Sequence, residues 1–323
     1  MEKYRTLVEE QIKSLNIDEK TPSGLYIPVQ YAMSAGGKHI RPILTLLSCK
    51  LFCDDFEQAL LPAVAIELFH NFTLLHDDLM DNADLRRNRA TVHKRWNENT
   101  AILSGDAMMI LSCRYLCESH PDKVCDLLDT FTRAAIDVCE GQQYDMDFEQ
   151  CEEVTIERYI TMIRLKTAAL IAASLKIGAI CGEADKASCE ALYNFGISLG
   201  IAFQLQDDWL DVYSDPALFG KATGGDILNR KKTFLLLTAL ESADKETRER
   251  LLLLLNSKVI PDKEKIENVT AIYDSLGVSE VTQHKISEYF QQAIIHLYNV
   301  SIADRSRMTE LEQFTVELLK RAK

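Results

Sequence analysis

Helix breakers are scarce in this sequence. Glycine and proline supply only 13 and 7 of its 323 residues, about 4% and 2% where soluble proteins average about 7% and 5%. Such scarcity argues against a turn-rich β protein. A disulfide framework is lacking too: there are nine cysteines, an odd number, and no CxxC pair. They read as small buried residues of a reducing compartment. Cys113 and Cys117, one helical turn apart, are the pair whose spacing would suit a metal. Long apolar runs are also lacking, since none reaches the roughly 18 residues of a membrane helix. Segment 168–181 is interrupted by Lys176, and 251–255 is too short. The charged start MEKYRTLVEEQIK has no signal-peptide core, so the expectation is a cytoplasmic protein without integral membrane association. Positive charge is in deficit, with 36 Lys+Arg against 49 Asp+Glu and a net charge of −13. That sets nucleic acid aside as a partner, but not a locally anionic substrate. Against these absences stand 47% apolar residues, enough to build a large core and to exclude disorder as the main state.

The pattern predicts an all-α protein, a single domain over residues 1–323 with no linker, composition break or short-period repeat. One helix covers 2–15. The next follows Pro22 and stops at Gly36-Gly37, and Pro42 opens a third. Asp54 and Asp55 are placed to cap a long helix through His70 to about Asp81. Residues 82–99 read as polar and irregular. Helices follow at 101–117, 122–146, 155–181 and 185–211, then a further run from 220–226 to Lys320.

The sharpest chemical signal is Asp77-Asp78-Leu79-Met80-Asp81. Residues four apart share a helix face with side chains about 5–6 Å apart. Asp77 and Asp81 are thus placed to hold hard cations such as Mg²⁺, which binds carboxylate oxygens and recruits phosphate. A lone acidic run is equally a solvated helix face. Here the same spacing recurs at Asp207-Asp208-Trp209-Leu210-Asp211. Leu74, Leu75, Leu79 and Leu205 suggest that both runs lie on buried helices, where so many carboxylates would be costly without cations between facing sets.

Cationic residues cluster around these runs. Gly36-Gly37-Lys38-His39-Ile40-Arg41-Pro42 sets a basic pair on a glycine hinge at a helix start, a combination suited to an anion. Arg86, Arg87, Arg89, His93, Lys94 and Arg95 follow the first acidic run. Lys166-Thr167 lies among apolar residues, where a lysine either reaches a ligand or extends to the surface. Gly220-Lys221-Ala222-Thr223-Gly224-Gly225-Asp226 and Lys231 follow the second run; the loop departs from the P-loop pattern and has no preceding strand. One arrangement explains both charge types. Metal ions bridge the aspartates to a diphosphate and the cations complete its neutralisation, activating a leaving group without a covalent nucleophile. The apolar interior suggests a greasy tail on that diphosphate.

With GGKHIRP, FHNFTLLHDDLMDNADLRR, GQQYDMDF, LKTAAL, FQLQDDWLD and GKATGGDILNRKKT in this order, the sequence resembles the trans-type polyprenyl (isoprenyl) diphosphate synthases, close to farnesyl and geranylgeranyl diphosphate synthases. The resemblance implies a helical bundle around a deep central cavity, usually a homodimer. It implies condensation of isopentenyl diphosphate with dimethylallyl, geranyl or farnesyl diphosphate, and three Mg²⁺ per active site. Residue by residue, it implies Mg²⁺ at Asp77 and Asp81 with Asp78 in support, and at Asp207 with Asp208 and Asp211 assisting. Arg86, Lys166, Lys221 and Lys231 would hold the allylic diphosphate. Lys38, Arg41, His70 and Arg87 would hold isopentenyl diphosphate, and Thr167 and Gln204 would line the reacting carbons and the diphosphate that receives the proton. His70 and Asp77, two turns apart, share a face. Where the family usually has Gly-x-Pro after the two arginines, this chain has Asn88-Arg89-Ala90, and Arg230 replaces a usual glycine before Lys231.

The implied product is C15 to C20, with C20 favoured. A tail running back from Asp77 along its helix meets small Thr73 one turn away, with Phe72 beside it and Phe69 a further turn back. A turn rises 5.4 Å, close to one isoprene unit, so Phe72 and Phe69 are the expected floor and Thr73 leaves room above it. Other readings are a non-catalytic subunit of a heteromeric synthase, which would tend to lose aspartates or cations retained here, and a terpene cyclase, which would not need Lys38 and Arg41. A di-iron bundle needs two ExxH motifs, and only Glu67-Leu68-Phe69-His70 is found.

Overall fold

The computed structural model describes residues 1–151, 153–214 and 223–319. They are helical apart from one two-stranded ribbon, and they separate into two compact units.

The first unit comprises 1–133, 173–193 and 300–311. It holds α1 (Glu2–Ser14), α2 (Ser23–Met33), α3 (Ile40–Lys50), α4 (Leu60–Met80), α5 (Val92–Arg95) and α6 (Glu98–Ser119), with the start of α7 (Val124–Gln150). At its centre is α4, packed on α1, α3 and α6. Eight consecutive residues from Pro62 to Phe69 are buried, which is why this helix is apolar on every face. The stretch Phe56–Met80 reaches a mean hydropathy of 1.3 over a membrane-helix window. That corrects the expectation that no run of such length exists, and 67% of that window is buried within the protein. Asp55 precedes a 3₁₀ turn at Phe56–Ala59 and makes no side-chain cap, so α4 starts later than the aspartates suggest. Cysteine burial holds for Cys49, Cys181 and Cys189, whereas Cys117, Cys125 and Cys139 are exposed.

Within the supposedly irregular 82–99, Leu85–Arg86 pairs antiparallel with Arg89–Ala90. The two-residue turn between them has φ of 51° at Arg87 and 60° at Asn88, the left-handed pair that a type I′ hairpin requires. Asn88 tolerates this conformation, so the loss of the family's Gly-x-Pro leaves the turn intact.

The second unit comprises 134–172, 194–299 and 312–323. It includes α8 (Ile156–Ile163), most of α10 (Lys186–Tyr213), α11 (Gly225–Leu228), α12 (Phe234–Ser242), α13 (Lys245–Asn256), α14 (Asp262–Ser275) and α15 (Val278–Tyr298). Phe148, Tyr159, Met162, Ala168, Ile201, Leu205 and Phe234 share one core; Ile227, Leu251, Val269 and Tyr273 share another. Thr155 caps α8 by accepting from the Arg158 N–H at 3.3 Å. The helix expected over 155–181 is interrupted by a π turn at Arg164–Ala168, after which α9 (Ala169–Cys181) continues. Such turns are rare and concentrate at functional sites; this one carries Lys166 and Thr167.

Candidate active site

In the first unit the acidic run closes α4. Asp77 is half-buried, Asp78 buried and Asp81 exposed. Burial of the whole run was therefore the wrong expectation, because Asp78 lies about 100° round the helix from Asp77 and only it turns inward. Asp78 is held by Arg86, whose Nε and Nη2 donate to Oδ1 at 2.8 and 2.6 Å. Three more members of the basic cluster are engaged within the unit. Arg89 and Arg95 stack on the Tyr31 ring at 4.0 and 4.3 Å, and Lys94 pairs with Asp84 at 3.1 Å.

The glycine hinge is built around a buried pair that sequence reasoning missed. His39, at φ 46°, starts α3 and places Nδ1 2.9 Å from Glu67 Oε1. Burial alone would raise the Glu67 pKa, but the His39 hydrogen bond, with the positive charge of Arg41 nearby, more than offsets it and holds the carboxylate below its ordinary range. Gly37 has φ 151°, and a Cβ there would stand 2.8 Å from an Arg87 guanidinium nitrogen. The positive φ favours glycine here, and the missing side chain leaves room for the Arg87 guanidinium to pack on the hinge. Lys38, Arg41, His70 and Arg87 all belong to this unit, and Arg41 Nη1 donates to His70 Nε2 at 3.2 Å. Burial, with Arg41 and Arg87 nearby, pushes the His70 pKa down to about 3. His70 is therefore a neutral hydrogen-bonding group at physiological pH.

A test follows from its sign. The folded His70 resists a proton that the unfolded chain takes below about 6.5. Its stabilising contribution is complete above that pH and is lost as pH falls towards 3. The melting temperature of His70→Gln should fall less than that of the wild type between pH 7 and pH 4. Parallel acid limbs would contradict a depressed His70.

In the second unit Asp207 and Asp211 are half-buried and Asp208 is buried. Tyr159 O–H donates to Asp208 Oδ2, and Gln204 Nε2 donates to Oδ1 at 2.9 Å. Thr167 Oγ1 donates to Gln204 Oε1 at 2.9 Å. Lys166 pairs with Asp145 at 2.6 Å. A Cβ on Gly141 would meet the Lys166 backbone nitrogen at 2.2 Å, and one on Gly200 would meet Ala168 at 2.5 Å, so two glycines admit the π turn between α7 and α10. The Asp226 N–H donates to Asp211 Oδ2 at 2.9 Å, and the Lys231 N–H to Asp226 O at 2.9 Å. Arg230 holds the left-handed conformation of the usual glycine, at φ 55°. Lys221 lies outside the described residues.

The carboxylates here repel one another. Burial, then Asp226 and Asp207, raise the Asp208 pKa to about 8. Burial, then Asp211, Asp145 and Asp207, raise Asp226 to about 6, even with Lys231 opposing. The sequence patterns assign no role to Asp145 or Tyr159, and Asp226 enters there only as the end of the glycine-rich loop. The two aspartates lie inside quoted motifs, GQQYDMDF and GKATGGD, and were legible there; Tyr159 had no such marker.

The donor set fits a hard divalent cation. The chemistry is all carboxylate oxygen, and the crowded charge is of the kind that a cation relieves. Among the described residues no group of three or more His, Cys, Asp or Glu converges to hold a metal unaided. Any such ion would need ligands beyond the protein, which suits Mg²⁺ shared between one or two carboxylates, water and phosphate oxygens.

The sequence model of the polyprenyl synthetase family matches residues 22–276, so the chain belongs to that family. Its fold is that of the polyprenyl synthases, and it is a trans-prenyltransferase, a prenyl diphosphate synthase. A short chain isoprenyl diphosphate synthase of Methanothermobacter thermautotrophicus is 36% identical over 319 residues, spanning 98% of this chain and 97% of its own. Other relatives are named geranylgeranyl and geranylfarnesyl synthases. A crystal structure of a geranylgeranyl pyrophosphate synthase, 41% identical, superposes with a TM-score of 0.94 over 100% of this chain and 99% of that one. A geranylgeranyl pyrophosphate synthase from Corynebacterium glutamicum, 28% identical with a TM-score of 0.85 over 99% and 98% of the two chains, was solved with isoprenyl diphosphate and magnesium. The family uses divalent metal to bind diphosphate.

Proposed function

We propose that the chain, working as one functional domain over residues 1–323, condenses isopentenyl diphosphate head to tail with an allylic diphosphate. The primer is dimethylallyl, geranyl or farnesyl diphosphate, and the product is an all-trans prenyl diphosphate of C15 to C20, with C20 favoured. The observation that carries this reading is shared by the two acidic runs. In each, the middle aspartate is fixed by protein donors and orients the run, with outer aspartates four apart on one face.

Asp77 and Asp81, with Asp207 and Asp211, would hold Mg²⁺, and Asp78 and Asp208 would support them. The ions would neutralise charge on the departing diphosphate. Arg86, Lys166, Lys221 and Lys231 bind the allylic diphosphate, and their charge stabilises it as its C–O bond breaks and the electron pair stays with oxygen. Lys38, Arg41 and Arg87 bind isopentenyl diphosphate, with neutral His70 as a hydrogen-bonding partner. The isopentenyl double bond attacks the allylic cation, and the proton then leaves to the released diphosphate beside Thr167 and Gln204. Apolar walls exclude water that would quench the cation.

The pockets should separate kinetically. Lys38→Ala should raise KM for isopentenyl diphosphate about tenfold or more, the loss of one charge-assisted contact, with little change for the allylic substrate. Lys166→Ala should instead weaken the allylic partner or lower kcat. Equal effects of Lys38→Ala on both substrates would contradict the assignment.

A homodimer belongs to this reading. α6 exposes Ile102, Leu103, Met109 and Ile110 at 45, 60, 38 and 63%, an apolar stripe at helical spacing suited to a second copy. Light scattering at the 36.6 kDa mass of one chain would contradict it. The direct test of function is the purified chain with isopentenyl and dimethylallyl diphosphates. Prenyl diphosphate is expected with Mg²⁺ and none in excess chelator. Activity only after adding a second protein would favour a heteromeric subunit.

A further inference from the structure

Thr167, Gln204, Asp208 and Tyr159 form one hydrogen-bonded chain in the second unit. Thr167 lies in the π turn, Gln204 and Asp208 are one turn apart on α10, and Tyr159 comes from α8. Thr167 donates to Gln204 Oε1 at 2.9 Å, Gln204 Nε2 donates to Asp208 Oδ1 at 2.9 Å, and Tyr159 donates to Asp208 Oδ2. Tyr159 and Asp208 are only 2 and 5% exposed. Every donation therefore runs towards Asp208.

This direction has a chemical consequence. As the ionised carboxylate it would be beside a bound cation, Asp208 only accepts, so Gln204 must present its amide nitrogen to Asp208 and its amide oxygen to Thr167. The oxygen draws the Thr167 hydrogen, and the Thr167 hydroxyl turns lone pairs outward. An electron-rich oxygen stabilises a neighbouring cation, whereas an outward O–H would oppose it. The orientation of Asp208 depends in turn on Tyr159. Without that hydroxyl, one carboxylate oxygen is buried without its donor. Asp208 must then turn to find another, releasing the Gln204 amide to flip and Thr167 to reverse.

We propose that Tyr159 is a positioning residue for the prenyl transfer. Acting through Asp208 and Gln204, it sets the polarity of the Thr167 hydroxyl that faces the allylic cation. The proposal rests on the reading above that Thr167 lines the reacting carbons.

Tyr159→Phe keeps the ring and its packing and removes only the hydroxyl. Its kcat should fall roughly 10–100-fold, as for loss of an outer-shell partner, while KM for each substrate changes less than about threefold. Calorimetry gives a readout apart from turnover, using an ammonium analogue of the allylic cation with inorganic diphosphate and Mg²⁺, compared with an uncharged allylic thiodiphosphate. The wild type should prefer the ammonium analogue, and Tyr159→Phe should lose about tenfold of that preference while binding the thiodiphosphate as before. Combining Tyr159→Phe with Gln204→Leu should cost no more than Gln204→Leu alone, because both break one chain. Additive losses, or a Tyr159→Phe enzyme that keeps both kcat and the ammonium preference, would overturn the proposal. Should Tyr159→Phe lose its cooperative melt, Gln204→Leu with an intact melt must abolish the preference, and its retention would be equally fatal. A wild type without any ammonium preference would remove Thr167 from the reacting carbons, and the proposal with it.

Discussion

Asp77→Ala and Asp207→Ala should each lower turnover by on the order of 10³-fold or more, since several kcal/mol of charge stabilisation on the leaving diphosphate is lost. The two outer positions are predicted to be more sensitive than Asp78 or Asp208, which are buried and bonded to Arg86 and to Tyr159 with Gln204, because each outer aspartate shares a helix face with its partner four residues on. A steady-state assay with Mg²⁺ varied from limiting to saturating separates the effects. Outer variants should stay slow at saturating Mg²⁺. Full activity of either, or wild-type turnover in excess chelator, would refute the metal assignment.

Phe72→Ala should lengthen the product by at least one five-carbon unit, and Thr73→Phe should shorten it to C15. The Phe72 ring lies 5.4 Å from Phe69 and 4.7 Å from the His76 ring, and Phe69 lies 5.1 Å from Phe131 of α7. The aromatic stack therefore continues below Phe72. Thr73 Oγ1 bonds its own helix at His70 O, at 2.8 Å, so its hydroxyl is satisfied locally and a phenylalanine there would add bulk one turn from Asp77. Phe69 is the poorer probe. It is 1% exposed, and Phe→Ala in a core costs about 3–5 kcal/mol, so stability would change with length. Mass spectra of products at matched conversion decide the matter. If both variants melt like the wild type and give its product distribution, this face of α4 does not set chain length.

The parts of the site legible in the sequence are those with a fixed local period. Four-residue spacing revealed the outer aspartates, and Gly36-Gly37 marked a helix end near where it occurs. What remained hidden depended on rotation or on distant partners. The inward turn of Asp78 and Asp208 follows from one residue of helical rotation, yet which of three aspartates faces the core depends on its neighbours. The π turn at Lys166 and Thr167 has no sequence signature; it shows only through what Gly141 and Gly200 make room for. Tyr159 looked like any aromatic on an amphipathic helix, because its partner lies on a different element. The basic stretch from Arg86 to Arg95 read as one cationic cluster after the first acidic run, whereas Tyr31 and Asp84 engage three of its members locally.

The most direct test of the account is the stoichiometry of one incubation. Purified chain, farnesyl diphosphate, labelled isopentenyl diphosphate and Mg²⁺ should yield geranylgeranyl diphosphate. One label should be incorporated and one diphosphate released per product, with no release when isopentenyl diphosphate is omitted. Release of diphosphate without incorporation of label would identify a cyclase-type reaction and contradict the account.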